Sequence, residues 1–562
     1  MCKQLKLAKV RGADRIWVTN VGDLKANEIP INHFMDLAYN TNDWSYDSAE
    51  KWLELWATRE FGASVAADVA SIMNRYGKYV GWRKYEVLDP STYSVLNYNE
   101  ADAVLAQWLQ LGKEAQAVYD KLDTATQVAF YELVLQPVLG GGVVNQIHIN
   151  AAKNKVYSHQ RRDAANRQAS LVLDLFKQDH ALTKRYHDLL DGKWNHILDQ
   201  AHIGYEYWQQ PMRNMLPPLV YVQDLEDSVA GSIGIGIEGS NATVSGDDNF
   251  HANSGNTLVL PPLDPYGPRT RWLDVFGRGT KTCEWSIAPL MPYVSVSPSS
   301  GTSGGNGTDT RVYVSVDWSK APPAGNWSVV DLNITNSCGS WGNYPKPLIQ
   351  VPVNVTSVPR DFKGYVESNK QLAIEAEHAA RKNQVGEWSY RTLKGHGRTL
   401  SGVTLVPVDG PSIAPGAGPV LEYDIYTFTN ATKANVTLYL SPSQNTAGNS
   451  RALKVAVAFD SASPQIKQFV SNTSNGDTPL GWGTAVTENI WKNANTTTTH
   501  ALTPGKHTLK IWFLEPAIVL QKIVIDLGGV LPSYFGPPES FKATIDSVGK
   551  YEGTNFAGIK LQ

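Results

Sequence analysis

RIWVTN, residues 15–20, is the stretch on which the fold turns. Its middle is continuously apolar, the pattern of a strand buried on both faces rather than one at an exposed sheet edge. Before it, residues 3–11 read as the end of an amphipathic helix, stopped by Gly12. After it, Val21-Gly22-Asp23 turns the chain, and Ile31–Ala38, following Pro30, has helical spacing. The segment is therefore one αβα unit. A buried parallel strand needs neighbours on both sides and helices on both faces, and nothing comparable follows before residue 225. The expectation is that residues 1–45 are the last unit of a barrel or doubly wound sheet whose other strands lie upstream, so that the chain is a truncated portion of a longer protein.

Working outward, residues 46–224 are expected to be helical. Apolar positions recur at three-to-four spacing over residues 48–61, 65–76, 99–122, 124–136, 151–176 and 183–190. Asn99 and Asp123 are placed as N-caps. From about residue 225 the period changes to two. Ile233-Gly-Ile-Gly-Ile237, residues 293–297 and residues 311–317 alternate, with Ser/Gly turn clusters between them. Short strands at this spacing predict a β-sandwich over 225–364. A second series, at 372–377, 420–426, 435–440, 453–459, 507–513 and 520–527, predicts a jelly-roll sandwich over 365–562. The fold class expected is multidomain α+β.

The 562 residues are too many for one core, and the mixture of 42% hydrophobic and 18% charged residues is that of globular proteins. A net charge of −3 gives no electrostatic reason to expect a nucleic-acid or anionic-membrane partner. No run of 18 apolar residues indicates a membrane span. MCKQLKLAKV at residues 1–10 lacks the apolar region of a signal peptide. Yet nine N-x-S/T sequons follow residue 240, at Asn241, Asn306, Asn326, Asn333, Asn354, Asn430, Asn435, Asn472 and Asn495. Such a cluster favours a secreted, glycosylated eukaryotic parent and an extracellular location. Of three cysteines, Cys2, Cys283 and Cys338, the last two share one β-rich region. One disulfide or two buried thiols fit their placement equally.

Asn20 and Asp23 follow the expected strand, where α/β barrels place their chemistry, and are candidate substrate contacts; a plain turn with Gly22 at positive φ is the competing reading. Asp23, Glu28 and Asp36 are the carboxylates that follow the strand, and groups from one strand cannot flank a sugar as two opposed carboxylates must. His196 and Asp199 are expected on one helix face with His202 off it, a poor metal site and more simply a polar interdomain contact. Glu375 and Glu377 alternate on one strand face and are weak calcium candidates, against a solvated face. Gly301-Thr-Ser303-Gly-Gly305 fits G-x-S-x-G in letters but sits among turn residues rather than at a strand-to-helix elbow. There is no Walker loop and no H-E-x-x-H, and no cofactor is expected.

Several stretches together resemble glycoside hydrolase family 115, the xylan α-1,2-glucuronidases. They are RIWVTNVGDLKANEIPINHFMDLAYN (15–40), YSVLNYNEADAVL (93–105), AFYELVLQPV (129–138), KWNHILDQAHIGYEYWQQP (193–211), HTLKIWFLEPAIVLQKIVIDLGG (507–529) and SYFGPPES (533–540). They span nearly the whole chain in the family's order, and the sequons suggest the fungal type. The resemblance implies a (β/α)8 barrel, of which residues 1–45 are the last unit, then a helical domain and C-terminal β-domains. It also implies removal of glucuronic acid or its 4-O-methyl form from glucuronoxylan, by inversion, using an acid and a base on earlier strands. Only Asn20, and less directly Asp23, match the family's active-site mouth, so no catalytic residue is expected in this chain and no hydrolysis by it alone. A homodimer through the C-terminal domain is implied as well. The alternative from another class is a non-catalytic carbohydrate-binding or oligomerisation module, using exposed aromatics of residues 365–562.

Overall fold

The computed structural model describes residues 2–10, 12–25, 27–45, 48–207, 209–244, 257–305, 308–339 and 347–544. The chain forms two compact units, one of residues 1–89, 104–149 and 171–217, the other of residues 90–103, 150–170 and 218–562. The Asn306 sequon and the Cys2 side chain lie outside the described residues.

The first unit is helical. Cys2–Val10 ends at Gly12, whose φ of +92° only glycine adopts at low cost. Glu28–Tyr39, Ala49–Phe61 and Ala66–Val80 follow. Asp123 caps the next helix as expected, accepting the N–H groups of Ala125 and Thr126 at 3.0 and 3.1 Å. That helix, Thr124–Phe130, runs through a π-turn, Tyr131–Leu135, into Gln136–His159. Residues 124–159 are long and apolar enough to cross a membrane by composition. Here Val134, Leu135, Val138 and Ile147 are wholly buried in protein. Gly141 costs helix propensity, but a β-carbon there would lie 2.3 Å from the Tyr85 hydroxyl and 2.9 Å from the Trp108 ring. The glycine lets two aromatic side chains close onto the helix backbone.

Two expectations fail in this unit. Arg15–Asn20 forms no strand, and Ile16 and Val18 are 81% and 89% exposed. A strand exists only through the ladder it shares with neighbours, and no described strand pairs with this segment. Residues 193–198 are turns rather than helix, with His196 at φ +68°.

Asn99, expected as an N-cap, has φ +54°, outside the extended region that caps occupy. It belongs to the second unit, which contains two pairs of facing sheets. In the first pair, the strand Ile233–Ile237 lies between Thr243–Val244 and Thr270–Gly277, and the sheet continues through Asp309–Val316 to Val294–Ser297. The facing sheet runs Thr257–Val259, Leu348–Asn354, Trp327–Asn336, Thr282–Pro289, Ser300–Gly304. Ile235, Leu273, Val275 and Val312 pack against Ile287, Val330, Leu332 and Val351 between them. Cys283 and Cys338 are joined by a disulfide, with a Cα–Cα distance of 5.4 Å. The Ser300–Gly304 strand carries Ser303, whose buried hydroxyl donates to Val275 O and accepts from Trp285 Nε1. The G-x-S-x-G lettering is thus part of a strand, and its serine is spent on structure.

The second pair has its centre in Leu421–Thr427 and Gly505–Phe513 on one sheet and Ala431–Leu440 and Val519–Asp526 on the other. Tyr423, Ile425, Leu509 and Ile511 meet Val436, Leu438, Ile523 and Ile525 in a single core. Arg162, 2% exposed, donates to two inner strands of the first pair, to Asp274 at 3.0 Å and Asp309 at 3.3 Å. Arg311 binds the same Asp274, and this network ties the end of Gln136–His159 to the sheet.

Candidate functional site

The loop after residue 20 is built by short-range hydrogen bonds. Asn20 Oδ1 accepts the Gly22 N–H at 3.2 Å, Gly22 has φ +66°, and Asn27 Nδ2 donates to Asp23 O at 2.9 Å. The Asn20 and Asp23 side chains are exposed. Asp36 is not free for chemistry, since it accepts the Trp52 indole N–H at 2.7 Å.

Three of the motif stretches converge behind this loop. Lys25 Nζ donates to Glu28 at 2.8 Å and makes a 2.6 Å ion pair with Glu132, while lying 4.3 Å from the centre of the Trp194 ring. Tyr186 OH donates to the same Glu132 oxygen at 3.3 Å. Glu132 is 3% exposed and sits in the π-turn, where the extra residue re-aims side chains that an α-helix would place elsewhere. Glu28 opens its helix, where the positive end of the backbone dipole favours a carboxylate. Burial and contact with Glu28 push the Glu132 carboxyl above the usual range, against the pull of Lys25. Burial works against the Lys25 ammonium, but hydrogen bonds to both carboxyls hold it above its ordinary value. The two directions agree because Lys25 carries a single positive charge beside two carboxyls and cannot offset both the burial of Glu132 and the nearness of Glu28.

Both carboxyls reach a single ammonium, so no sugar ring fits between them, unlike the opposed pair of a glycosidase. The cluster's chemistry is that of an anchor: it fixes the loop bearing Asn20 and Asp23 to two helices. Sequence reasoning missed Glu132, although a lone acid inside the apolar run AFYELVLQPV was the signal.

In the second unit, YSVLNYNEADAVL and SYFGPPES also meet. Glu100, fully buried, accepts the N–H groups of Ser94 at 2.7 Å, Tyr534 at 3.0 Å and Phe535 at 2.7 Å. Burial pushes its carboxyl up against those three donors.

His196 meets Asp199 at 2.5 Å, across a turn, and His202 meets Asp179 at 2.9 Å. All four lie in the first unit, so the expected interdomain contact is instead internal to it. Glu375 and Glu377 do not share a strand face, because the strand Gln371–Glu375 gives way to a 3₁₀ turn at 376–378. Glu375 is buried and its carboxylate accepts from Thr399 Oγ1 at 2.6 Å and faces Lys522 at 3.6 Å. With its oxygens so occupied the pair does not fit calcium, and no group of three or more His, Cys, Asp or Glu is gathered for a metal among the described residues. Asn241, Asn326, Asn333, Asn430, Asn435, Asn472 and Asn495 are exposed, and Asn354 is half-buried.

The family model described as "Glycosyl hydrolase family 115" matches residues 1–87, which carry the Asn20–Glu28 loop. The model "Glycosyl hydrolase family 115 C-terminal domain" matches residues 364–539, the second pair of sheets. The chain belongs to glycoside hydrolase family 115. No curated protein matches it. Among solved structures it is similar to "A novel family GH115 4-O-Methyl-alpha-glucuronidase, BtGH115A, with specificity for decorated arabinogalactans", at 15% identity and a TM-score of 0.52. That match covers 93% of this chain and 47% of the other, so the chain spans about half the length of its relative and shares its fold. A carbohydrate-binding module from Cellvibrio mixtus lichenase 5A covers 27% of the chain and 95% of its own, at 15% identity and a TM-score of 0.18. A family 35 module from Clostridium thermocellum covers 27% and 97%, at 13% identity and 0.19. Both scores are too low to bear on the fold.

Proposed function

We propose that this family 115 chain is the C-terminal portion of a secreted enzyme that removes glucuronic acid or its 4-O-methyl ether from glucuronoxylan with inversion. The observation that carries the proposal is the family match over residues 1–87 together with the Lys25–Glu132 anchor, which holds Asn20 and Asp23 in place at the loop expected to touch substrate. In this reading residues 1–45 are the last unit of a (β/α)8 barrel. The exposed Ile16 and Val18, side chains a barrel would bury, support it. Residues 365–562 are a jelly-roll sandwich, supported by their two facing sheets. The exposed sequons support an extracellular location. The close carboxyl pair at Lys25 cannot serve an inverting glycosidase, and the chain is expected to release no glucuronic acid by itself.

The test has two arms. The purified chain is incubated with glucuronoxylan, and released uronic acid is measured; release overturns the dependence on residues outside 1–562. A protein carrying the chain together with an in-frame barrel should release the sugar as its β-anomer, read by proton NMR. Release of the α-anomer overturns inversion, and no release from any glucuronoxylan overturns the activity. A homodimer through the C-terminal domain is part of the same proposal, and sedimentation as a monomer at micromolar concentration removes it.

The non-catalytic alternative gains nothing from the terminal sheets. No Trp, Tyr or Phe side chain is exposed among described residues 365–544. The exposed Trp327 belongs to the preceding sandwich.

A further inference from the structure

Within the second unit a cleft of about 690 Å³ opens beside the Trp327–Asn354 strand end. Its volume lies in the roughly 300–1,000 Å³ range of small-molecule sites. On one wall, Trp327 and Asn354 are direct cross-strand partners and so share one sheet face. Trp327 is 57% exposed, an indole left uncovered where neighbouring rings are buried.

The polar groups of the cleft divide into two sets. The carboxylates are already satisfied. Glu238 pairs with Arg271 at 2.7 Å, Asp264 accepts from Ser368 Oγ at 2.7 Å, and Glu367 accepts the N–H groups of Phe428 and Thr429. The other set is unsatisfied among the described residues. Asn97, 9% exposed, spends its amide N–H on Pro532 O, and its Oδ1 has no hydrogen-bond partner. Thr356 Oγ1, also on the lining, is buried without one. Leaving such groups unpaired costs about 1–3 kcal/mol each, a cost that a ligand hydroxyl reaching them would remove. Lys370, exposed and also on the lining, supplies a cation.

An uncovered indole next to neutral donors and acceptors suits a ring with one apolar C–H face and an equatorial rim of hydroxyls. We propose that this cleft binds a pyranoside, with Trp327 under the ring, Asn97 and Thr356 taking hydroxyls, and Lys370 favouring a ring that bears a carboxylate. The proposal rests on the cleft alone and not on the family's reaction.

The full chain is produced in bacteria, where Asn354 carries no glycan, and titrated with methyl glucuronide and methyl glucoside by saturation-transfer NMR and calorimetry. Both should bind, the glucuronide more tightly. Trp327→Ala should weaken both by about tenfold, the loss of one well-placed contact, and its exposed position leaves the core untouched. Lys370→Met should abolish the preference for glucuronide while sparing glucoside. Failure of both sugars to bind, or unchanged binding by Trp327→Ala, overturns the proposal. Asn354 heads a sequon, so the sugar in the cleft has a second source. If the bacterial protein binds neither sugar, while protein from a secreting host carries an Asn354 glycan that resists endoglycosidase until Trp327 is replaced, the cleft holds the chain's own glycan and an external ligand is ruled out.

Discussion

Replacing Cys283 and Cys338 together by alanine removes a cross-link that closes a loop of sequence separation 55. In the chain-entropy treatment, a loop of that length restricts the unfolded chain by about 4 kcal/mol at 25 °C. Little of the native structure should change. Thr282–Pro289 remains paired with Trp327–Asn336 on one side and Ser300–Gly304 on the other, and the sandwich core between Ile287 and Val330 is intact. The effect therefore falls on the unfolded state, and it should be confined to the first sandwich. Native-state amide exchange reads both points. Amides of Trp285, Ile287 and Ile334 should exchange about 10³-fold faster in the variant, the factor equivalent to about 4 kcal/mol. Amides of Tyr423, Ile425 and Ile523 should be unaffected. Acceleration below about tenfold would refute the entropic reasoning, and equal acceleration in the second sandwich would refute the independence of the two cores.

Lys25→Met leaves Glu28 and Glu132 facing each other without a cation. Breaking a buried pair costs about 3–5 kcal/mol; with the Lys25 side chain 25% exposed, about 2 kcal/mol is expected, seen as faster proteolysis within residues 12–27. Because the Glu132 carboxyl is raised, its contribution is present below the ordinary carboxyl range and lost as pH rises through the raised value. The variant should thus regain resistance in acid, and equal cleavage at acid and neutral pH would count against the raised Glu132 carboxyl. Burial pushes Asp309 up to about 6, opposed by Arg162. Its contribution to stability is full below pH 3.8 and lost as pH rises through about 6, a difference of about 3 kcal/mol. Asp309→Asn should remove that slope from urea titrations, and identical pH profiles for the two proteins would refute it. Glu100→Ala removes the carboxylate that accepts three N–H groups and should cost about 3 kcal/mol, with exchange rising at Ser94, Tyr534 and Phe535; protection as in the parent chain would show that another acceptor takes them.

Much of the secondary structure was legible because local period decides it. The switch from three-to-four spacing to alternation near residue 225 separates Ala164–Gly192 from the strand Ile233–Ile237. Asp123 was legible as a cap because a cap is a local event, its side chain accepting N–H groups two and three residues on. RIWVTN forms no strand here for the converse reason: its apolar side chains suit a strand, but a strand is a relation between segments, and no described strand lies beside it. The turn around His196 and the end of the strand at Glu375 likewise depart from what spacing alone predicts.

The same division holds for function. The motif stretches named the family from sequence alone, since order and spelling along a chain need no third dimension. That Lys25, Glu132 and Trp194 form one anchor, that Glu100 receives the backbone of Tyr534 and Phe535, and that Trp327 stands uncovered across from Asn354 were decided only by tertiary structure. Burial and charge sharing depend on which distant segments meet, and a linear sequence carries those meetings only as isolated acids and aromatics whose partners it does not name.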